Sequence, residues 1–563
     1  MFLPTTSAEL KKLGWDKPDI ILVTGDAYID SPYIGVSVIG HVLSEAGFRV
    51  GIIAQPDWQS KTDICRLGEP KLFWGITGGC MDSMVANYTA TKKKRLRDDL
   101  TAGGKNNRRP DRASVVYANL IRRYFKETKP LILGGVEASL RRVAHYDYWS
   151  ESIRRSILFD ARADILVYGM AEKAILEIAR KLQNGGDIKD IKGICYISSE
   201  IPADYIVLPS YEEVSADKKS LIRMFDIFYQ NNDSLTAQGL FQKYGSRYLI
   251  QNPPQPCLTS EELDKIYAFD FTLDVHPFYR KQGIVKAMDT IKFSITSHRG
   301  CYGECNFCSI GLHEGKTVIS RSEKSIIKEA RNLAALPDFK GYLLDVGGST
   351  ANMYGFECQK KQTKGACKNK RCLYPEVCSG LKANHSRQIN LLKELRNIKG
   401  IKKVFVASGI RYDLLLSDNK HCTGYMQELI QHHISGQLKV APEHVAPNIL
   451  RLMGKPQAQL LLDFKQVFEK FSKLSGQKQF LTYYFIAAHP GCTEENMREL
   501  KSFAGRKLKT NPRQVQIFTP LPSTYSALMY FTQTDPFSEK KIFVEKMMNR
   551  KQRQKDIITR KIN

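Results

Sequence analysis

Short apolar runs without polar alternation punctuate the first third of the chain, at 19–24, 49–53, 72–77, 131–134, 164–168 and 194–198. Between them, apolar residues recur every three or four positions over 34–46, 115–126 and 172–182. Continuous apolar runs suit strands buried on both faces, so strands alternating with helices predict a doubly wound parallel α/β sheet. Two stretches break the pattern. Residues 91–112 form a polar insert holding Gly103-Gly104 and Arg108-Arg109-Pro110-Asp111-Arg112. A loop of that length in a compact domain is expected to be functional or disordered. Residues 199–256 read as a linker with some helix, closed by Asn252-Pro253-Pro254 and Pro256, which stop regular structure.

A second alternating series starts near residue 286. Strands are expected at 292–296, 342–346, 403–407, 437–440, 480–486 and 514–518, with helices at 325–335, 386–397, 426–433, 458–472 and 494–503. Six βα units fall short of the eight of a closed barrel, which predicts a partial (βα)6 barrel with its ligands at the C-terminal strand ends. The expected division is an α/β domain at 1–200, a linker and helical segment at 201–285, the barrel at 286–530 with a cysteine-rich insert at 356–380, and a mobile basic tail at 531–563.

Charge and cysteine usage narrow the function classes. The 563 residues carry a formal net charge of +26 and 13 cysteines. That charge favours acidic partners such as RNA or nucleotide-like ligands, although a solvated lysine-rich surface gives the same count. No apolar run is long enough to span a bilayer and the first residues do not form a secretory signal, so a cytoplasmic location without membrane association is expected. Grouped cysteines in such a chain indicate metal or redox chemistry before disulfides.

The densest cysteine group directly follows the first strand of the second series, in Cys301-Tyr302-Gly303-Glu304-Cys305-Asn306-Phe307-Cys308. Three thiolates within eight residues can hold three corners of a 4Fe-4S cubane, which ordinarily takes four cysteines. The remaining iron is left open for an exogenous ligand, as in an unsaturated catalytic metal site. Such an iron can chelate the amino and carboxylate groups of S-adenosylmethionine (SAM). One-electron reduction then cleaves the sulfonium and releases a 5′-deoxyadenosyl radical, a chemistry belonging to the cofactors. The alternatives are a zinc site completed by His298 or His313, or unligated buried thiols.

The spacing Cys-x-x-x-Cys-x-aromatic-Cys, with Phe307 before the last cysteine, resembles the radical SAM superfamily. Further strings resemble its YgiQ-like branch: 345–355 (Asp-Val-Gly-Gly-Ser-Thr-Ala-Asn-Met-Tyr-Gly), 439–444, 488–492, 514–520, 108–113 and 133–142. The resemblance spans nearly the whole chain and carries no assigned substrate. It implies that Gly347 and Gly348 approach the SAM amino group, although Ser349 stands where a glutamate is usual. Arg411, after the third strand, can pair with the SAM carboxylate as a fork donor; Lys439 and Glu443 flank the end of the fourth strand, where Glu443 can accept from ribose hydroxyls. A surface arginine and a Lys439–Glu443 ion pair are the alternative readings. A reducing electron donor is required, and RNA is a candidate substrate. No residue identifies itself as a catalytic radical relay or base.

Cys358, Cys367, Cys372 and Cys378 share one basic, turn-rich insert. An auxiliary iron–sulfur cluster is expected there, with structural zinc as the alternative. A parallel sheet ahead of such a barrel resembles the cobalamin-binding arrangement. The usual Asp-x-His-x-x-Gly is here Asp30-Ser31-Pro32-Tyr33-Ile34-Gly35, so no axial imidazole is available and cobalamin is not expected. The competing function is a non-catalytic, metal-containing nucleic-acid-binding protein.

Overall fold

The computed structural model describes residues 1–560. The chain divides into two compact units: Met1–Pro256 with Phe269–Lys292, and Cys257–Ala268 with the chain from Phe293 onward.

In the first unit, β1 (Ile20–Thr24) and β2 (Val50–Ala54) are buried at every position, which is why their sequences show no alternation. Burying each such Ile or Leu contributes about 1.5–3 kcal/mol. With β3 (Phe73–Thr77), β4 (Leu131–Gly134) and β5 (Ile165–Val167) they form parallel pairs in the order β2-β1-β3-β4-β5. The chain therefore reverses direction across the sheet between β1 and β3, a topological switch point. Helices α1 (Gly35–Glu45) and α2 (Glu172–Gln183) flank the sheet. In α2 the buried Ala174, Ile175, Ile178 and Ala179 form its inward stripe.

The sheet does not stop at the parallel strands. β6 (Ile194–Ser198) runs antiparallel to β5. The segment expected as a linker contributes β7 (Ile206–Leu208), β8 (Leu240–Tyr244) and β9 (Arg247–Gln251), extending the sheet to nine strands among the described residues. These strands lie at an edge, where half-exposed positions such as those of β7 interrupt the apolar runs.

The second unit supplies six parallel strands in chain order: β10 (Ser294–Thr296), β11 (Tyr342–Leu343 continued by Asp345–Gly347), β12 (Lys403–Val404), β13 (Gln437–Glu443), β14 (Phe480–Ala487) and β15 (Gln514–Ile517). Each pairs with the next; β12 joins β13 beyond its own end, where Ile410 bridges Val440. Helices α3 (Glu323–Ala334), α4 (Ser386–Arg396), α5 (Cys422–Glu428), α6 (Ala458–Ser475) and α7 (Glu494–Phe503) occupy the connections. The C-terminal region is ordered where a mobile tail was expected, with residues 561–563 outside the described residues. Helix α8 (Met548–Thr559) buries Lys551, Gln554 and Ile558. Gln554 accepts from the Ala488 amide (2.9 Å) and donates to the Cys492 carbonyl (3.1 Å). Polar side chains anchor this helix, so its sequence lacks an apolar stripe.

Candidate metal and cofactor site

The three-cysteine loop lies just beyond the C-terminal end of β10. Gly303 sits between the first two thiols. Its amide donates to Cys301 Sγ at 3.3 Å, and a methyl there would lie 3.3 Å from Cys301 Sγ, 3.6 Å from Cys305 Sγ and 3.1 Å from Arg411 Nη1. The Cys308 amide closes the turn onto the Cys305 carbonyl at 3.0 Å. All three cysteines are half-buried, and burial pushes the Cys301 and Cys308 thiols upward, with the nearby Cys305 adding to the effect. Among the described residues, no three His, Cys, Asp or Glu side chains converge as the shell of a single metal ion. A cubane is ligated at separate irons, so its thiolates stand apart, and three soft donors on one turn, two of them against Gly303, fit that group.

The residues between the cysteines anchor the loop. Asn306 donates to the Leu452 carbonyl (2.8 Å) through its side chain and to Met453 (2.9 Å) through its amide. Both acceptors lie in the helix Pro447–Met453 that follows β13. Glu304 takes a left-handed backbone (φ 45°) and meets Lys316 at 3.2 Å and Lys361 at 3.8 Å. These cations hold its carboxyl below the usual range despite burial. Sequence reading singled out none of these partners.

Gly347 and Gly348 end β11 where side chains have no room. A methyl on Gly348 would come within 2.8 Å of His298 Nε2, and one on Gly347 within 3.2 Å of Ser408 Oγ. His298 is buried, its Nδ1 2.9 Å from Ser297 Oγ, and desolvation lowers its pKa to about 4. Ser349, at the position usual for glutamate, donates to Glu314 Oε2 at 2.7 Å, and the Gly300 amide reaches the same oxygen at 3.2 Å. A carboxylate therefore reaches the glycine turn from another part of the chain.

Arg411 is buried at the start of a short helix after β12. Asp413 accepts from its Nε (2.8 Å) and Nη2 (2.5 Å), while Nη1 points to Cys305 Sγ at 3.6 Å. Asn352 grips its backbone, accepting from the amide at 2.8 Å and donating to the carbonyl at 3.0 Å. His385 lies 3.2 Å from Asn352 Nδ2 and 2.8 Å from Asp418.

Glu443 falls at a bulge ending β13, with φ of 66°. Its cation is the buried Lys455 at 3.9 Å, in place of the Lys439 pairing considered from sequence. Burial raises its pKa, opposed by Lys455 and Arg411. Lys439 lies on β13 opposite Thr482. Phe307 meets His489 edge-on at 6.4 Å between ring centroids.

In the cysteine-rich insert, Cys358, Cys372 and Cys378 share one apolar cluster with Tyr302 and Cys301. Lys361 Nζ lies 3.4 Å from Cys372 Sγ, and the Cys378 amide donates to the Cys372 carbonyl at 2.8 Å. Cys367 is half-buried and lies outside that cluster.

The switch point of the first unit is filled by its own residues. A methyl on Gly25, just beyond β1, would be 2.2 Å from the Gly78 carbonyl oxygen beyond β3. The 91–112 insert folds back there: Arg109 pairs with Asp26 (2.6 Å) and Asp98 (3.1 Å) and donates to the Gly25 carbonyl (3.1 Å). Asp30 is likewise engaged, by Ser37 (2.6 Å), His41 (2.8 Å) and Thr272 (2.8 Å).

The family model "Radical SAM N-terminal" matches residues 2–294. A UPF0313 protein of Fusobacterium nucleatum is 57 % identical over 561 residues, covering 100 % of this chain and 99 % of its own. The chain belongs to the UPF0313 family of radical SAM proteins. A second member, from Thermotoga neapolitana, is 50 % identical over 559 residues, covering 99 % of this chain and 98 % of its own. Among solved structures, the cobalamin-dependent S-adenosylmethionine radical enzyme OxsB, with aqua-cobalamin and S-adenosylmethionine bound, superposes with a TM-score of 0.51 at 11 % identity. That match covers 94 % of this chain and 56 % of OxsB. It is a likeness of fold, and it agrees with the sheet-plus-barrel architecture expected of a YgiQ-like radical SAM protein.

Proposed function

We propose that this UPF0313 protein binds a 4Fe-4S cluster through Cys301, Cys305 and Cys308 and reductively cleaves SAM to modify a substrate. The observation that carries this reading is the three-cysteine loop beyond the C-terminal end of β10, with the Cys301 and Cys305 thiols against Gly303 and Cys308 closing the turn onto Cys305. When bound, the cluster and SAM supply the one-electron chemistry that generates a 5′-deoxyadenosyl radical. The chain's own residues hold and orient. Gly347 and Gly348 let backbone approach the SAM amino group, and Glu314, fixed by Ser349, supplies a carboxylate near that turn. Glu443 stands at the end of β13, at the side expected to receive the ribose, with Lys439 four residues earlier on the same strand, and Phe307 packs beside the last cysteine. Glu304, Lys316 and Asn306 fix the loop.

We assign an auxiliary iron–sulfur cluster to the insert, supported by the grouping of Cys358, Cys372 and Cys378, with Cys367 as the further thiol of the same insert. Paired Cys372→Ala and Cys378→Ala changes are expected to lower bound iron; iron at the wild-type level contradicts the assignment. The filled switch point supports an enzyme without cobalamin: protein produced with cobalamin supplied is expected to copurify with none, whereas stoichiometric corrinoid overturns this. The +26 charge supports RNA as the substrate class. Binding to tRNA should then weaken linearly in log Kobs against log salt, and affinity independent of salt excludes it.

A further inference from the structure

We infer that Arg411 is a positioning residue that raises the reduction potential of the cluster through an N–H···S bond to Cys305, with Asp413 fixing its aim. The inference rests on the proposed cluster at Cys301, Cys305 and Cys308. The Arg411 guanidinium has one direction left: Asp413 takes Nε and Nη2, and Nη1 faces the Cys305 sulfur at 3.6 Å. A fork already closed on a carboxylate is not free to bind the carboxylate of SAM bidentately. The aim is fixed from behind as well. Asn352 holds both the amide and the carbonyl of Arg411, and His385 and Asp418 continue that chain of contacts.

Hydrogen bonds to cluster sulfurs and the net charge nearby are principal determinants of iron–sulfur potentials. Reduction adds an electron, so a cationic donor favours the reduced cluster and raises the potential. The groups around the thiol balance in sign: Arg411 against Asp413, and Lys455 against Glu443 at 3.9 Å. Removing one member leaves a single uncompensated charge, and the sign of the shift follows from which member is removed.

The test is a potentiometric titration of the anaerobically reconstituted full-length protein with dithionite, followed by electron paramagnetic resonance. At the wild-type midpoint potential, Arg411→Gln should raise the oxidised-to-reduced ratio about tenfold, equivalent to about 59 mV for a one-electron couple. Asp413→Asn should shift the ratio the opposite way, and Arg411→Lys should fall between Arg411→Gln and wild type. SAM affinity in Arg411→Gln should stay within about threefold of wild type. If Arg411→Gln does not retain a cluster, an oxidised-to-reduced ratio below wild type in Asp413→Asn and above wild type in Arg411→Lys decides. Wild-type ratios in the variants, or shifts of the same sign in Arg411→Gln and Asp413→Asn, overturn the inference while leaving the cluster reading intact. An unaltered potential with lost SAM affinity returns Arg411 to the SAM carboxylate. A wild-type chain that assembles no cluster overturns the cluster reading itself, together with this inference.

Discussion

Glu304 shows how an unremarkable residue type can hold the three-cysteine loop in place. It lies between Cys301 and Cys305, yet its partners Lys316 and Lys361 come from beyond the motif and from the cysteine-rich insert. Removing its charge breaks its buried ion pairs with Lys316 and Lys361, a change that costs about 3–5 kcal/mol. Glu304→Gln is therefore expected to lower the unfolding midpoint of the barrel and its iron content together; an unaltered midpoint contradicts the account. Gly303→Ala acts differently, because its methyl would press on two sulfurs and on Arg411 Nη1. It should reduce iron loading with little loss of secondary structure by circular dichroism. The three cysteines were legible because their spacing is local. The clamps on Arg411 were not: Asn352 and His385 lie 59 and 26 positions from it in sequence, and nothing in either residue type marks the pairing. The same holds for Glu314, which brings a carboxylate to a glycine turn 35 residues away.

The secondary elements were easiest to read where burial was complete. β1 and β2 advertise themselves because no position faces water. The edge strands β7 to β9 mix exposed and buried positions and passed for linker. Helix α8 was read as a basic tail because its inward residues include Lys551 and Gln554, whose anchoring bonds go to Tyr530 and to the backbone of residues 488 and 492. Replacing Gln554 with Ala leaves the Ala488 amide and the Cys492 carbonyl without that partner at a buried site, at a cost of about 1–3 kcal/mol. Limited proteolysis should then cut the C-terminal helix faster than in wild type; equal cleavage rates would show that the glutamine does not anchor it. The insert at 91–112 was expected to be functional or disordered. It is folded, and Arg109 joins it to Asp26 and Asp98 at the sheet's switch point.

Across the described residues, four of the buried histidines have the most strongly lowered pKa values and dominate the pH response below neutrality. Desolvation lowers His145 and His298 to about 4 and His444 and His489 to about 3, against about 6.5 in an unfolded chain. Between those values the unfolded state binds protons that the folded state refuses, so stability rises with pH and is lost as pH falls from about 6.5. Each histidine contributes a slope of up to about 1.4 kcal/mol per pH unit. The urea midpoint should drop clearly between pH 7 and pH 5, above the ordinary range of carboxylates; a flat profile would mean that these rings are solvated. Division into two units is a feature that length alone announces, whereas the return of Phe269–Lys292 to the first unit follows from contacts that no local pattern reveals.

The central claim is that three thiols hold a cluster able to cleave SAM. The most direct measurement is 5′-deoxyadenosine by mass spectrometry, after anaerobic reconstitution with iron and sulfide and addition of SAM and dithionite. The account predicts 5′-deoxyadenosine from the wild-type chain and none above background from Cys305→Ala. A wild-type chain that binds no iron–sulfur cluster and forms no 5′-deoxyadenosine would contradict it.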